Sequence, residues 1–340
     1  MTTSEASLIR KLQAAAPRAI AQARSGLTLG IGDDAALFHP RRGYETVLTC
    51  DWFLEDTHFM RDQHPADAVG WKSLARAVSD IAAIGAEPRC FLLSLALPEV
   101  LSGRWLDQFL GGLRRASRKL NCALAGGDTT RQQKVLINIT VVGEVRARRA
   151  ALRSGARPGD LIYVSGRLGE ADLGLQLLRG RRPIPKLTSA LKTAALKKHL
   201  YPQPRLDLAR WLTKRGFVTS MMDLSDGLST DLPRLCAASQ VGAQIESTQI
   251  PAVHFPKWNR SRSPSALSLA LNGGDDYELL FTVPPRQARC LPRSLNHLPL
   301  TAIGQITCSR SILVLDADDR ANPVQSAGWD PFRTPTSNRS

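Results

Sequence analysis

Apolar residues Val69, Leu74, Ala75, Val78 and Ile81 recur at the spacing of one helical face, which predicts a helix over 65–83 closed by Gly85 and Pro88. The unbroken apolar run CFLLSLALP from Cys90 predicts a buried strand, and VLINITVVGEV from Val135 predicts another. Between them lie a helix over about 102–120 and a strand leading into AGGDTT at Ala125. Ahead of these, SEASLIRKLQAAAP reads as a short helix with Ser4 as its cap and Pro17 as its end. The segments GLTLGIGDDAALF from Gly26 and YETVLTCDWF from Tyr44 read as strands.

The pattern restarts near Ala151. RSGARPGD is a turn-rich entry to a strand, GEADLGLQLL a helix, and the stretch from Lys186 to Leu212 two helices around a Pro-rich break. FVTSMMD is a strand, LSTDLPRLCAASQ a helix carrying Pro233, and NGGDDYELLFTV a loop entering a strand. Strands and helices alternate in both halves, so the expected class is α/β or α+β with two sheet-containing domains. The expected boundaries are 1–150, 151–332 and an unstructured tail at 333–340.

The length of 340 residues suits two domains, each with its own core. No apolar run reaches the roughly 20 residues of a membrane helix, and MTTSEASLIRKLQ lacks a signal-peptide core, so the expected location is the cytoplasm, away from membranes. The six cysteines show no CxxC pairing and read as buried free thiols, which disfavours zinc and iron–sulfur chemistry. A net charge of +15 raises nucleic-acid binding as a rival. The arginines are spread through the chain, however, with local concentrations at RARRAALR and GRRPIPK, and no nucleic-acid-binding motif accompanies them. A positive field that attracts anionic substrates is the better reading, with no nucleic-acid partner.

Against that basic background stand six short Gly/Asp motifs: GIGDDAA, TCDWFLEDTHF, VSDIAAIGA, AGGDTT, MMDLSDG and NGGDDYELLF. They supply Asp33, Asp34, Asp51, Asp80, Asp128, Asp223, Asp226, Asp275 and Asp276. One such Asp is ordinarily a turn residue or a cap. Adjacent pairs repel unless solvent or a cation stabilises them, and glycines let a polyphosphate approach the backbone. There is no GxxxxGK[ST] phosphate loop, no protein-kinase signature, no HExxH and no GxSxG. Because Mg²⁺ takes only one or two carboxylates per ion beside waters and phosphates, so many aspartates fit several Mg²⁺ ions better than one.

As an ordered set, GIGDDAA, the spacing from Asp51 to His58 and Phe59, SDIAAIGAEP, GGDTTR, RSGARPGD, DLSDGL and GGDDYEL resemble the thiamine-monophosphate kinase family. The resemblance runs from about Gly26 to Phe332 and extends to a superfamily with aminoimidazole ribonucleotide synthetase, selenophosphate synthetase and a hydrogenase maturation factor. It implies a two-domain aminoimidazole ribonucleotide synthetase-like fold whose N-terminal domain pairs in a homodimer. It also implies transfer of the γ-phosphoryl group of ATP, with several Mg²⁺ ions, to thiamine monophosphate.

Position by position, it implies Mg²⁺ contacts at Asp34, Asp51, Asp80, Asp128, Asp223 and Asp226, with Thr49 and Cys50 beside them. Gly127, Asp128, Arg153 and Ser225 match ATP-contacting positions, and His58, Asp275 and Phe332 match positions that contact the thiamine phosphate. No residue is implied as a general base. Cys50 stands where many relatives carry a hydroxyl, and a thiol is a poor Mg²⁺ ligand, so Cys50 would act through its backbone carbonyl. Asp275 stands where the family usually has Glu, so the substrate contact becomes water-mediated or the loop moves inward.

Two alternatives remain at this level. One is a sister enzyme such as aminoimidazole ribonucleotide synthetase, although DLSDGL with GGDDYEL and the terminal GWDPF favours the kinase. The other is an inactive binding paralogue, raised by the changes at Cys50 and Asp275.

Overall fold

A computed structural model describes residues 5–15, 26–31, 33–180, 187–254 and 265–332. The expected cap Ser4, the expected stop Pro17 and the tail 333–340 lie outside the described residues. The chain begins with helix α1 (Glu5–Ala15) and two short paired strands, β1 (Leu27–Leu29) and β2 (Leu37–Phe38). Where one strand through GIGDDAA was expected, the described residues form two, with 33–36 outside both.

The first sheet has the order β3-β6-β4-β5, built from β3 (Tyr44–Leu54), β4 (Glu87–Leu97), β5 (Ala123–Arg131) and β6 (Leu136–Arg146). Helices α2 (Ala66–Ala83) and α3 (Arg104–Leu120) cover one face. Their contacts enclose Phe53, Val78, Ile81, Phe91, Leu106, Phe109 and Ile139 in the first core. Alternation places side chains of β3 and β4 on the opposite, open face, where Leu48 is 69% and Trp52 52% exposed. Strand β5 continues through the GGDTT motif instead of ending there. Gly127 makes this possible: its φ is +152°, and a Cβ there would lie 1.9 Å from the carbonyl oxygen of Leu93 on β4.

The second half adds β7 (Leu161–Ser165), α4 (Glu170–Arg179), α5 (Ser189–Leu200), α6 (Leu206–Arg215), β8 (Ser220–Leu224), α7 (Leu228–Ser239) and β9 (Gly242–Glu246). It ends with α8 (Ala266–Asn272), β10 (Glu278–Val283), α9 (Pro285–Ala288), β11 (Ser294–Leu295), β12 (Leu298–Thr307), β13 (Ile312–Leu315) and β14 (Ala321–Pro323). Its sheet runs β14-β13-β9-β12-β7-β10-β8, with β11 paired to β12, and β8 lies at one edge. No helix among the described residues is long and apolar enough to cross a membrane.

Helix α2 joins the halves. Thirteen of its 18 residues are buried, more than a single apolar face provides, because the second half also packs on it. Ala82 at its end shares a core with Leu208, Leu212, Met221, Leu279 and Phe281. The edge strand β8 is thereby brought against a helix of the first half.

Candidate active site

Helical spacing explains one wall of the site. Lys72, Arg76 and Asp80 follow one another at i, i+4 and i+8 on α2 and form a polar stripe on a mostly buried helix. Thr49 and Asp51 occupy the inward face of β3, opposite that stripe. Arg76 donates to both Asp51 oxygens, Nε at 3.1 Å and Nη2 at 3.2 Å, and the Thr49 hydroxyl donates to Asp80 at 2.6 Å. One residue along β3, the Cys50 side chain takes the opposite face and bonds the Asn138 amide.

The second half supplies the other wall from adjacent strands. Asp223 lies near the end of β8, and its Oδ2 accepts the Ser79 hydroxyl of α2 at 2.6 Å. The following turn is tied by Asp231, whose Oδ2 accepts the backbone N–H groups of Ser225 and Asp226, each at 3.0 Å. Entering β10, Asp275 and Tyr277 sit at φ of +67° and +49°, conformations costly for residues with a Cβ. Hydrogen bonds from Asp275 N to Ser225 O (2.8 Å) and from Tyr277 N to Leu224 O (2.9 Å) hold this loop against the Asp223 turn. Asp276 points elsewhere, accepting Gly169 N and Ala171 N at the start of α4.

Asp275 is fixed by two further groups. Lys72 Nζ lies 2.9 Å from its Oδ2, and the Tyr277 hydroxyl donates to Oδ1 at 2.7 Å. Behind Lys72, His199 and His64 continue a buried polar chain, their Nε2 atoms 3.0 Å apart. Burial works against the Asp275 charge, but Lys72, His199 and Arg76 outweigh it and hold the carboxyl below its usual range.

The result is a cavity of about 750 Å³ lined by both halves. It gathers Asp51, His58, Asp80, Asp223, Ser225, Asp226 and Asp275 from the sequence-derived set. Burial, and then the Asp80 charge, push the Asp223 carboxyl well above the ordinary range; burial also raises Asp80, with Asp51 adding to the effect. The Arg153 charge opposes both shifts. Carboxylates drawn from two domains against their mutual repulsion are groups a cation would stabilise. The nearby donors are hard oxygens, as Mg²⁺ prefers. Among the described residues no three His, Cys, Asp or Glu side chains already form a metal cage. Mg²⁺, which completes its shell with water and phosphate, does not need one.

His58 lines the same cavity with its Nδ1 accepting the Leu54 N–H at 3.0 Å, which leaves the proton on Nε2. Burial first, then Arg76, push its pKa down to about 4, so the ring is neutral at physiological pH. Of the remaining sequence-derived residues, Thr49 bonds the cavity's Asp80 and Arg153 acts on Asp80 and Asp223 through its charge, while the others lie elsewhere. Asp34, Gly127 and Asp128 do not line the cavity; Asp128 Oδ1 instead accepts Thr129 N at 2.8 Å. Phe332 is 95% exposed and also outside the lining. Trp329, three residues earlier, lines the cavity with its ring 6.3 Å from that of His58. It is brought there because its backbone N–H donates to Asp226 O at 3.0 Å, strapping the C-terminal segment over the DLSDG turn.

This architecture is shared. The family model for the AIR synthase related protein, N-terminal domain, matches residues 32–145, and its C-terminal counterpart matches 157–318. Thiamine-monophosphate kinase of Escherichia coli (strain K12) is 37% identical over 319 residues, 93% of this chain and 95% of that one. The chain belongs to the thiamine-monophosphate kinase family. The crystal structure of thiamine-monophosphate kinase from Stenotrophomonas maltophilia K279a superposes with a TM-score of 0.79 at 35% identity, covering 95% of this chain and 99% of that one. AaThiL complexed with AMPPCP and TMP superposes with a TM-score of 0.73 at 32% identity, covering 88% and 91%.

Within this thiamine-monophosphate kinase fold, sequence reasoning missed Lys72, Arg76, Tyr277 and Trp329. The first two carried a signal, since charged residues spaced by four on an otherwise apolar helix call for buried partners.

Proposed function

We infer that the protein transfers the γ-phosphoryl group of ATP to thiamine monophosphate, giving ADP and thiamine diphosphate. The observation that carries this reading is the meeting of Asp80 and Asp223, from different halves, in one acid-lined cavity of a chain with net charge +15. Family membership supplies the substrates: the neighbour AaThiL is complexed with AMPPCP and TMP.

The acceptor is itself a phosphate, mostly dianionic at neutral pH, so the reaction needs no general base. Its difficulty is holding two polyanions in line, and bound Mg²⁺ supplies the neutralising charge and the template. Asp51, Asp80 and Asp223 would hold that metal, together with Asp34, Asp128, Asp226, Thr49 and the Cys50 carbonyl, over more than one ion. Gly127, Asp128, Arg153 and Ser225 bind ATP. Asp275 offers a fixed negative charge to the cationic thiazolium, His58 an Nε2–H donor, and Trp329 a flat face for a ring. This assignment moves the aromatic contact from Phe332 to Trp329. The protein acts as a homodimer through the open face of the first sheet, where Leu48, Trp52 and Leu92 form an exposed apolar surface. It works in the cytoplasm, in keeping with six free cysteines, of which Cys90, Cys122 and Cys236 are buried whereas Cys50, Cys290 and Cys308 are exposed, contrary to the expectation that all six are buried.

The test is a side-by-side assay with ATP and Mg²⁺ against thiamine monophosphate, thiamine and the precursor of aminoimidazole ribonucleotide. Formation of thiamine diphosphate from thiamine monophosphate alone is expected. ATP consumption with only the imidazole precursor would reassign the chain to a sister activity, and none with any acceptor would leave a binding paralogue.

A further inference from the structure

Seven aspartates line the cavity but only two arginines, Arg76 and Arg179, among the described residues. An acceptor that carries a phosphate must enter this acidic space, and a phosphorylated ligand is told from its alcohol only by groups that touch the phosphate. Arg179 ends α4 and is exposed. Lys72 is buried and committed to Asp275. Arg76 differs from both, with a side chain 13% exposed, set inside the cavity and packed over the Phe53 ring at 5.1 Å.

We propose that Arg76 recognises the phosphate of the acceptor, exchanging Asp51 for the phosphate when the cavity fills. This rests on the kinase reading above. The bonds of Arg76 to Asp51 use two of five N–H donors and, at 3.1 and 3.2 Å, are longer than the 2.7–2.9 Å typical of charge-assisted pairs. Because its two oxygens serve either partner, Asp51 on taking up a divalent cation would release the guanidinium. Its planar fork then matches two phosphate oxygens, and the fixed stem on α2 keeps it beside His58 and Asp275. Arg76 in this way balances the Asp51 charge before the acceptor arrives and makes the filled site selective for a phosphorylated thiamine.

The test is equilibrium binding of thiamine monophosphate and thiamine, each in Mg²⁺, to wild type, Arg76→Gln and Arg76→Lys. Arg76→Gln should weaken thiamine monophosphate about tenfold or more and thiamine less than about twofold, with Arg76→Lys intermediate. Equal losses for the two ligands, or an unchanged preference, would overturn the assignment. Wild type that binds neither ligand would overturn the kinase reading along with it. A second arm does not depend on the folding of Arg76→Gln. In EDTA, Asp51→Asn frees Arg76 and should bind thiamine monophosphate several-fold tighter than wild type, and the gain should vanish in the double variant. No gain, or a gain that survives loss of Arg76, would count against the proposal.

Discussion

Two clefts open along the seam between the halves, and they differ in kind. The larger, about 1050 Å³, is lined by Arg89, Arg114, Arg118, Lys119, Arg205 and Arg210 against Glu87 and Asp207. The smaller, about 750 Å³, collects seven aspartates. For a protein that handles polyphosphates the basic groove looks like the natural choice. Yet several of its charges are already neutralised: Arg210 pairs with Asp207 at 2.8 Å, and Arg205 with Glu278. In the acidic cavity Asp51, Asp226 and Asp275 are likewise paired, with Arg76, Arg234 and Lys72, but Asp80 and Asp223 accept the hydroxyls of Thr49 and Ser79 instead, and burial and the Asp80 charge push the pKa of Asp223 up. The facing carboxyls of Asp80 and Asp223 mark the candidate site better than volume or the sign of a cleft's charge.

The largest effect that could break this contrast comes from the carboxylates. Asp223→Asn should lower turnover by a factor of about 10² or more, and EDTA should abolish it, because on the proposed function transition-state charge rests on Mg²⁺ that these groups would hold. Steady-state kinetics at saturating Mg²⁺ checks this; near-wild-type rates would make Asp223 an ordinary strand-end residue.

Next in size is the buried pair behind the cavity. Lys72→Met leaves Asp275 without its ammonium partner and should destabilise the fold by about 3 kcal/mol, the low end for such pairs, since Asp275 is 26% exposed. Urea denaturation measures it, and Asp275→Asn in the same chain should recover part of the loss. A change below about 1 kcal/mol would mean the pair contributes little.

Trp329→Ala should raise the KM for thiamine monophosphate roughly threefold to tenfold with little change for ATP, whereas Phe332→Ala should change either by less than about twofold. The reverse order would return the acceptor contact to the exposed Phe332.

The smallest effect concerns protons. His64 has its pKa pushed down to about 4, by burial first and Lys72 second, from an ordinary 6.5. Between those values the unfolded chain takes up a proton that the folded chain refuses. The His64 contribution is therefore complete above pH 6.5 and lost as pH falls towards 4. His64→Asn should gain stability relative to wild type on acidification through that window. Urea midpoints at about pH 7 and about pH 4.5 with a constant difference would contradict the assignment.

Much of this was legible in the residues. Helix α2 follows the spacing of Val69 to Ile81, and the strands at Cys90 and Val135 follow their apolar runs, because local burial dictates each of them. Five of the seven cavity aspartates were legible because Gly/Asp motifs in a strongly basic chain cannot follow from acidic composition, whereas Asp56 and Asp172 were not singled out. The rest depended on pairings distant in sequence. Strands β12 to β14 join β9 and β7 through ladders no local pattern encodes. Trp329 reaches the cavity through one backbone hydrogen bond to Asp226, and GWDPF offers no local reason to prefer it over Phe332. Arg76 is a charged position on a helix read for its apolar face, and only the approach of β3 reveals its partner.

The central claim is that phosphates are handled at the acidic cavity, through metal, and not at the basic groove. Equilibrium binding of AMPPCP with Mg²⁺ to wild type, Asp223→Asn and the groove variant Arg114→Ala/Arg118→Ala tests it most directly. The account predicts that affinity falls at least about tenfold in Asp223→Asn and stays within about twofold in the groove variant. Loss of binding in the groove variant, with Asp223→Asn unaffected, would contradict it.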